Sequence, residues 1–117
     1  MLFEGKLKLY STQDISVQGR MPGEMLVPLP GGDEFFTDRT IGFTRNYAAL
    51  GADQKIDRLV RIWRRTDIRT GHYAVIDDEQ YRIDFIQNLL DEDDLQVTDL
   101  TLRRLEKNYD IYTEHPQ

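Results

Sequence analysis

Ile56-Asp57-Arg58-Leu59-Val60-Arg61-Ile62-Trp63-Arg64-Arg65 alternates with the period of an extended chain. Successive side chains of a strand point to opposite faces, so Arg58, Val60, Ile62 and Arg64 share one side and Leu59, Arg61, Trp63 and Arg65 the other. Neither face is purely apolar. A strand with Val and Ile on one side and Trp beside Arg on the other suits an element whose second face meets a partner, because aromatic residues and Arg are enriched at interfaces. Arg58, Arg61, Trp63, Arg64 and Arg65 are therefore the candidate subunit or partner interface.

Outward from this strand the pattern stays β-like. His72 to Ile76 and Tyr81 to Ile86 flank Asp77-Asp78-Glu79-Gln80, which predicts a hairpin with a four-residue loop and with Tyr81, Ile83 and Phe85 facing inward. Leu95 through Leu105 alternates imperfectly, and a bulge or a helix-like end would account for the slip. Lys6-Leu7-Lys8-Leu9-Tyr10 predicts a first strand, with Leu7 and Leu9 inward and both lysines in water. Between Gln18 and Asp38 stand Pro22, Pro28, Pro30, Gly19, Gly23, Gly31 and Gly32, a density of breakers that predicts a long loop over 18–38. Within it, Met25-Leu26-Val27 and Phe35-Phe36 are apolar enough to dock on the domain itself or on a neighbour. Thr44 to Gly51 reads as a short helix, capped by Thr44 and ended by Gly51. The residues 110–117 are expected to form a flexible tail. The fold class expected is mainly β, a small antiparallel β-barrel with a short helix and a long Pro/Gly-rich loop.

With 117 residues the chain suits one domain, and a hydrophobic share of 39% beside a charged share of 31% gives a modest core under a heavily charged surface. Net charge is −6 but uneven. Residues 1–70 carry eleven Lys/Arg against nine Asp/Glu, and residues 71–117 carry four against twelve. Unlike charge on different faces would suit head-to-tail contact between copies. The start, Met1-Leu2-Phe3-Glu4-Gly5-Lys6, builds no signal-peptide core, and no run approaches a membrane span.

Catalytic chemistry finds no local signature. There is no cysteine, and His72 and His115 have no metal-ligand spacing. Neither Ser11 nor Ser16 sits in a nucleophile elbow. Asp91-Glu92-Asp93-Asp94 lacks the glycine and the twelfth-position glutamate of a calcium loop and is expected to be a solvated turn. Gly31-Gly32, between Pro30 and Asp33, reads as a turn and not as a phosphate loop. The expectations are no catalytic, metal or cofactor site, and no enzyme. Five arginines between 58 and 69 could meet phosphate, but overall acidity argues against DNA as a tightly held ligand.

From Thr40 onward the succession Ile41-Gly42-Phe43-Thr44-Arg45-Asn46-Tyr47-Ala48-Ala49-Leu50, Arg58-Leu59-Val60-Arg61-Ile62-Trp63, His72-Tyr73-Ala74-Val75-Ile76, Glu79-Gln80-Tyr81-Arg82-Ile83 and Asp99-Leu100-Thr101-Leu102-Arg103-Arg104-Leu105 resembles the head-tail connector proteins of tailed bacteriophages, that is, head-tail adaptor or joining, head-closure and stopper proteins. The resemblance covers roughly the last two thirds of the chain. It implies a homo-oligomeric ring at the head-tail interface of the virion, assembled in the bacterial host cytoplasm, which connects portal to tail and retains packaged DNA. The partners implied are copies of the chain in a ring, portal or adaptor proteins and tail proteins, with passive proximity to DNA in the channel, no sequence-specific nucleic-acid binding and no membrane. By the same analogy Thr44, Arg45, Asn46 and Tyr47 lie in a loop facing the channel or the next subunit. The Gln18 to Asp38 stretch departs from the family pattern. Two other readings are a tail-completion or terminator subunit, and a small acidic inhibitor that binds a host protein. Charge reversal at Arg61 and Arg64 is expected to weaken assembly more than folding.

Overall fold

The computed structural model describes residues 3–15, 23–39 and 57–112. They form six strands: β1 Gly5–Ile15, β2 Gly23–Asp38, β3 Arg58–Trp63, β4 Tyr73–Ile76, β5 Glu79–Leu90 and β6 Gln96–Arg104. The strands pair antiparallel in the order β1-β2-β3-β6-β5-β4. β4 returns to β1 through Lys8↔Val75, Leu9↔Ala74 and Tyr10↔Tyr73, which closes the sheet into a barrel. The mainly β, antiparallel architecture expected from the alternation is thus observed. The helix expected over Thr44 to Gly51 lies outside the described residues, and among those described there is no helix.

Alternation fills the interior. Leu7, Leu9, Phe36, Val60, Ile62, Ala74, Ile76, Tyr81, Ile83, Leu100 and Leu102 form one buried cluster, which Ile68 joins from the connection after β3. Each fully buried aliphatic side chain stabilises the fold by roughly 1.5–3 kcal/mol relative to exposure. Gly5 stands opposite Phe36 in register, and a Cβ there would sit 3.0 Å from the Phe36 ring, so any larger residue would push that ring back from β1 by a few tenths of an ångström. β6 is the most enclosed element, buried from Val97 through Leu102 on both faces. That two-sided burial explains its imperfect alternation. Its register with β3 is regular, and the bulge lies instead on β5, between Ile83 and Phe85, where Asp84 is the extra residue.

The long loop expected over 18–38 is a correction, because residues 23–38 of it are strand β2. Both backbone groups of Leu26 point away from β1: its N–H donates to the Asp110 carbonyl at 2.9 Å and its carbonyl accepts from the Tyr112 N–H at 2.8 Å. Pro28, two residues on, has the same orientation, so its missing N–H removes no bond to β1. Opposite Leu9 the ladder slips, from Lys8↔Asp33 to Tyr10↔Pro28, and Leu29 to Gly32 bulge out together. Gly31 and Gly32 hold φ of 109° and 71° there, values that side-chain-bearing residues rarely adopt. Proline therefore sits on the outer edge and glycine in the bulge. Lacking an N–H, Pro28 offers no donor that would carry the parallel bridge Leu26↔Ile111 further along β2. Of the tail expected over 110–117, Asp110 to Tyr112 are tied to Leu26, and residues 113–117 lie outside the described residues.

The β4–β5 hairpin is tighter than its composition implies. Glu79 and Gln80 belong to β5, which leaves the two-residue turn Asp77-Asp78 with φ of 50° and 65°. Two consecutive positive φ values define the turn whose twist matches paired strands, and Asn-Gly satisfies it best. Replacing Asp77-Asp78 by Asn-Gly is expected to raise stability by about 1 kcal/mol, since left-handed backbone costs other residues roughly 1–2 kcal/mol each. Urea unfolding checks it: a higher midpoint with an unchanged m-value is the expected result.

Candidate interaction surface

The arginines singled out in the sequence fall into different environments. Arg61 leaves β3 on the outer face directly opposite Asp99 of β6, and its Nε and Nη2 donate to the two carboxylate oxygens at 2.7 and 3.0 Å. The residue is buried, and the hydrogen bond to Asp99 raises its already high pKa despite the opposing effect of burial. Arg58 donates from Nε to Asp38 at 3.1 Å and lies over the Phe36 ring at 5.2 Å. Arg65 forms a hub: its guanidinium donates to Asp67 at 2.8 and 2.6 Å, to Glu34 at 3.0 Å and to the Pro30 carbonyl at 2.7 Å. It thereby holds the β2 bulge against the segment after β3. Arg64 donates from Nη2 to the Leu89 carbonyl at 2.8 Å, while its buried Nε has no hydrogen-bond partner among the described residues.

These four guanidiniums fix strand to strand. Trp63 differs. It is 40% exposed at the end of β3, and its ring meets Phe3 edge-on at 5.6 Å. Phe3 lies 5.5 Å from Phe35, and the Lys6 ammonium stands 5.2 Å above the Phe35 ring. Strand alternation splits the Phe35-Phe36 pair, sending Phe36 into the core and leaving Phe35 48% exposed. Three aromatic rings and a cation thus form a continuous outward patch on a rigid sheet. Sequence reasoning found Trp63 but not Phe3 or Lys6, and it left Phe35 undecided between core and neighbour. Only the β1–β2 register, Lys6↔Phe35, brings them together. Thr44, Arg45, Asn46 and Tyr47 lie outside the described residues.

A second surface was hidden by the acidity of the C-terminal half. Arg82 of β5 and Arg103 of β6 stand opposite each other in register, with Arg104 next along. With Lys107, Asp57, Glu106, Leu105 and Tyr109 they line a concave groove of about 600 Å³. Asp84, the bulge residue, serves both Arg103 at 2.7 Å and Arg82 at 3.8 Å, and Arg104 meets Glu79 at 3.0 Å. One wall is set by the C-terminal segment. Gln80 clamps Tyr109 twice, donating to its carbonyl and accepting its N–H, both at 2.8 Å. The Tyr109 ring packs on Tyr73, whose hydroxyl is pushed up to about 12 by burial and by its hydrogen bond to Tyr109.

His72 and the acidic turn form backbone structure. The Arg69 N–H donates to His72 Nδ1 at 3.1 Å, which requires that nitrogen unprotonated, and burial followed by the Arg69 charge lowers the imidazole pKa accordingly. The Asp91 carboxylate accepts the N–H groups of Asp93 and Leu95, both at 2.9 Å, and so builds the β5–β6 loop. Those bonds hold the Asp91 pKa below the ordinary carboxylate value. A scan against protein-family models finds no match for the chain, and a search of curated proteins finds no similar one.

Proposed function

We propose that this chain is a structural subunit of the head-tail interface of a tailed bacteriophage, a head-closure or adaptor ring subunit that connects portal to tail and retains packaged DNA. The observation that carries the reading is the outward aromatic patch of exposed Phe35 and Trp63 joined by the half-buried Phe3. Large rigid aromatics held by a scaffold are what binding hot spots are made of, because they bury much area at little conformational cost. The closed six-strand sheet suits the small β-barrel of such a ring subunit, and the order of residues from Thr40 onward resembles that family. Arg58, Arg61 and Arg65 are each engaged by carboxylates, which fits a wall that DNA passes and does not grip. The partners are further copies of the chain, portal or adaptor proteins and tail proteins.

The test is electron microscopy of particles made without the protein. Head closure requires full-length tails beside heads that fill and then lose their DNA, restored by supplying the chain in trans. DNA-retaining heads with tails of abnormal length would replace this reading with a tail-terminator role. Normal infectious particles would sink both.

A further inference from the structure

β5 keeps one side open. It pairs with β6 from Tyr81 to Leu90, but β4 covers its other side only from Glu79 to Arg82. The Ile83 carbonyl and N–H still bond to Gly71 and His72, and then the bulge at Asp84 carries the strand away from β4. From Phe85 to Leu90 no strand lies on that side among the described residues. The Asp91 N–H donates to the Leu95 carbonyl across the hairpin, while Gln96, opposite Leu90, turns its carbonyl to the Arg64 N–H at 3.3 Å. Leu90, and by alternation Asn88 and Ile86, therefore point N–H and C=O to the open side.

Proteins guard such edges with lysine, proline or an inward-pointing charge. Phe85-Ile86-Gln87-Asn88-Leu89-Leu90 has no charge and no proline, and Phe85 and Leu90 are each 54% exposed. An unguarded edge of this kind is a template for another strand. Its two ends carry opposite charge. After Leu90 comes the Asp91 to Asp94 turn, where Glu92, Asp93 and Asp94 are exposed and have no ion pair among the described residues. At the other end, in the turn that leads into β4, Arg69 is exposed and equally without an ion pair among the described residues. The carboxylates near Arg69 in the chain and across the turn are engaged elsewhere, Asp67 by Arg65 at 2.6 Å and Asp84 by Arg103 at 2.7 Å.

We infer that two free copies of this chain pair edge to edge through β5, antiparallel about a two-fold axis. Such an axis sets one residue opposite itself, and with Asn88 in that place Ile86, Asn88 and Leu90 all engage. Asn88 faces Asn88, and Ile86 faces Leu90 of the second copy on either side, each pair exchanging both its N–H···O bonds. The same register brings the acidic turn of each copy toward Arg69 of the other, and this charge match favours a second copy over an unrelated strand. The contact closes at two copies and is made by β5, not by the Trp63 and Phe35 patch. It therefore goes beyond the reading of the chain as a ring subunit and does not rest on it.

Sedimentation of the full chain at rising concentration is expected to show a monomer passing to a dimer, and amide exchange at Ile86, Asn88 and Leu90 is expected to slow with it. Leu90→Pro removes an N–H that β6 does not use, so it is expected to keep the fold and weaken the dimer about tenfold. Arg69→Glu, or Glu92→Lys with Asp93→Lys, is expected to weaken it several-fold at low salt. All three changes in one chain are expected to restore it, which a folding defect would not allow. The chain contains no cysteine, so Asn88→Cys reports the register. Under mild oxidation it is expected to crosslink to itself faster than Gln87→Cys, whose facing residue is Leu89. A chain that stays monomeric while the Ile86, Asn88 and Leu90 amides exchange fast overturns the pairing, as does a dimer indifferent to Leu90→Pro. Slow exchange in a monomer at every dilution overturns it too, and assigns the edge to another part of the same chain. Particle assembly is read separately through the Trp63 patch, so either reading can fall without the other.

Discussion

Arg61→Met alone, or Asp99→Leu alone, is expected to destabilise the fold by about 3–5 kcal/mol, because each leaves a buried charge without its partner. The two residues are 6 and 8% exposed and joined by two hydrogen bonds across β3 and β6. In a domain whose whole stability is roughly 5–15 kcal/mol, that is a large part of the margin. The double variant, with both charges replaced by apolar side chains, is expected to lie within about 1 kcal/mol of the parent or above it, since it also removes the desolvation of both ions. A double-mutant cycle from denaturant midpoints measures this directly. Single losses below about 1 kcal/mol would show that water reaches the pair and that it behaves as a surface bridge.

The same geometry changes what a charge reversal at Arg61 reports. A glutamate there would face Asp99 across the strands, and its first effect falls on the sheet. Arg64 is likewise engaged, with Nη2 on the Leu89 carbonyl. Weakened assembly in an Arg61/Arg64 double reversal would therefore follow from weakened folding, and it carries no information about a contact between subunits.

What the sequence made legible was local periodicity. β1, β3 and the β4–β5 hairpin were readable because one face of each is apolar at every second residue, as in Leu7/Leu9, Val60/Ile62 and Tyr81/Ile83, but Phe85, expected to face inward with them, is turned out to solvent by the bulge at Asp84. β2 was unreadable because Pro28 and Gly31-Gly32 carry breaker chemistry whose cost depends on which way a backbone N–H points and where a bulge falls. Neither is a property of the segment alone. The role of Arg61 depended on Asp99, 38 residues away. Composition marked Arg61 as partner-facing, and register made it a strand tie. The Arg82/Arg103 groove was masked in the same way, since residues 71–117 sum to a strongly acidic charge while the pairing of β5 with β6 sets Arg82 directly opposite Arg103. Glu79 and Gln80 looked like turn residues because they are polar, yet Gln80 is buried and holds the Tyr109 backbone.

Trp63→Ser combined with Phe35→Ser is expected to cost particle assembly far more than it costs folding. Both side chains are substantially exposed, so the fold loses mainly their ring contacts with Phe3, worth about 0.5–1.5 kcal/mol each. A melting temperature lower by several degrees, with a cooperative transition, is the expected result for the isolated chain. Binding should suffer more, because truncating a central aromatic anchor typically removes at least about 2 kcal/mol, roughly thirtyfold in affinity. Incorporation of the variant into particles lacking the native chain reads that loss. Phe85→Ser is the control: Phe85 is 54% exposed and makes no ring contact among the described residues, so exposure alone predicts it to matter as much as Trp63. The clustered-anchor argument predicts that it matters little. If Phe85→Ser blocks assembly while the Trp63/Phe35 variant assembles normally, the binding face lies on β5 and the aromatic patch on β2 and β3 is not the anchor.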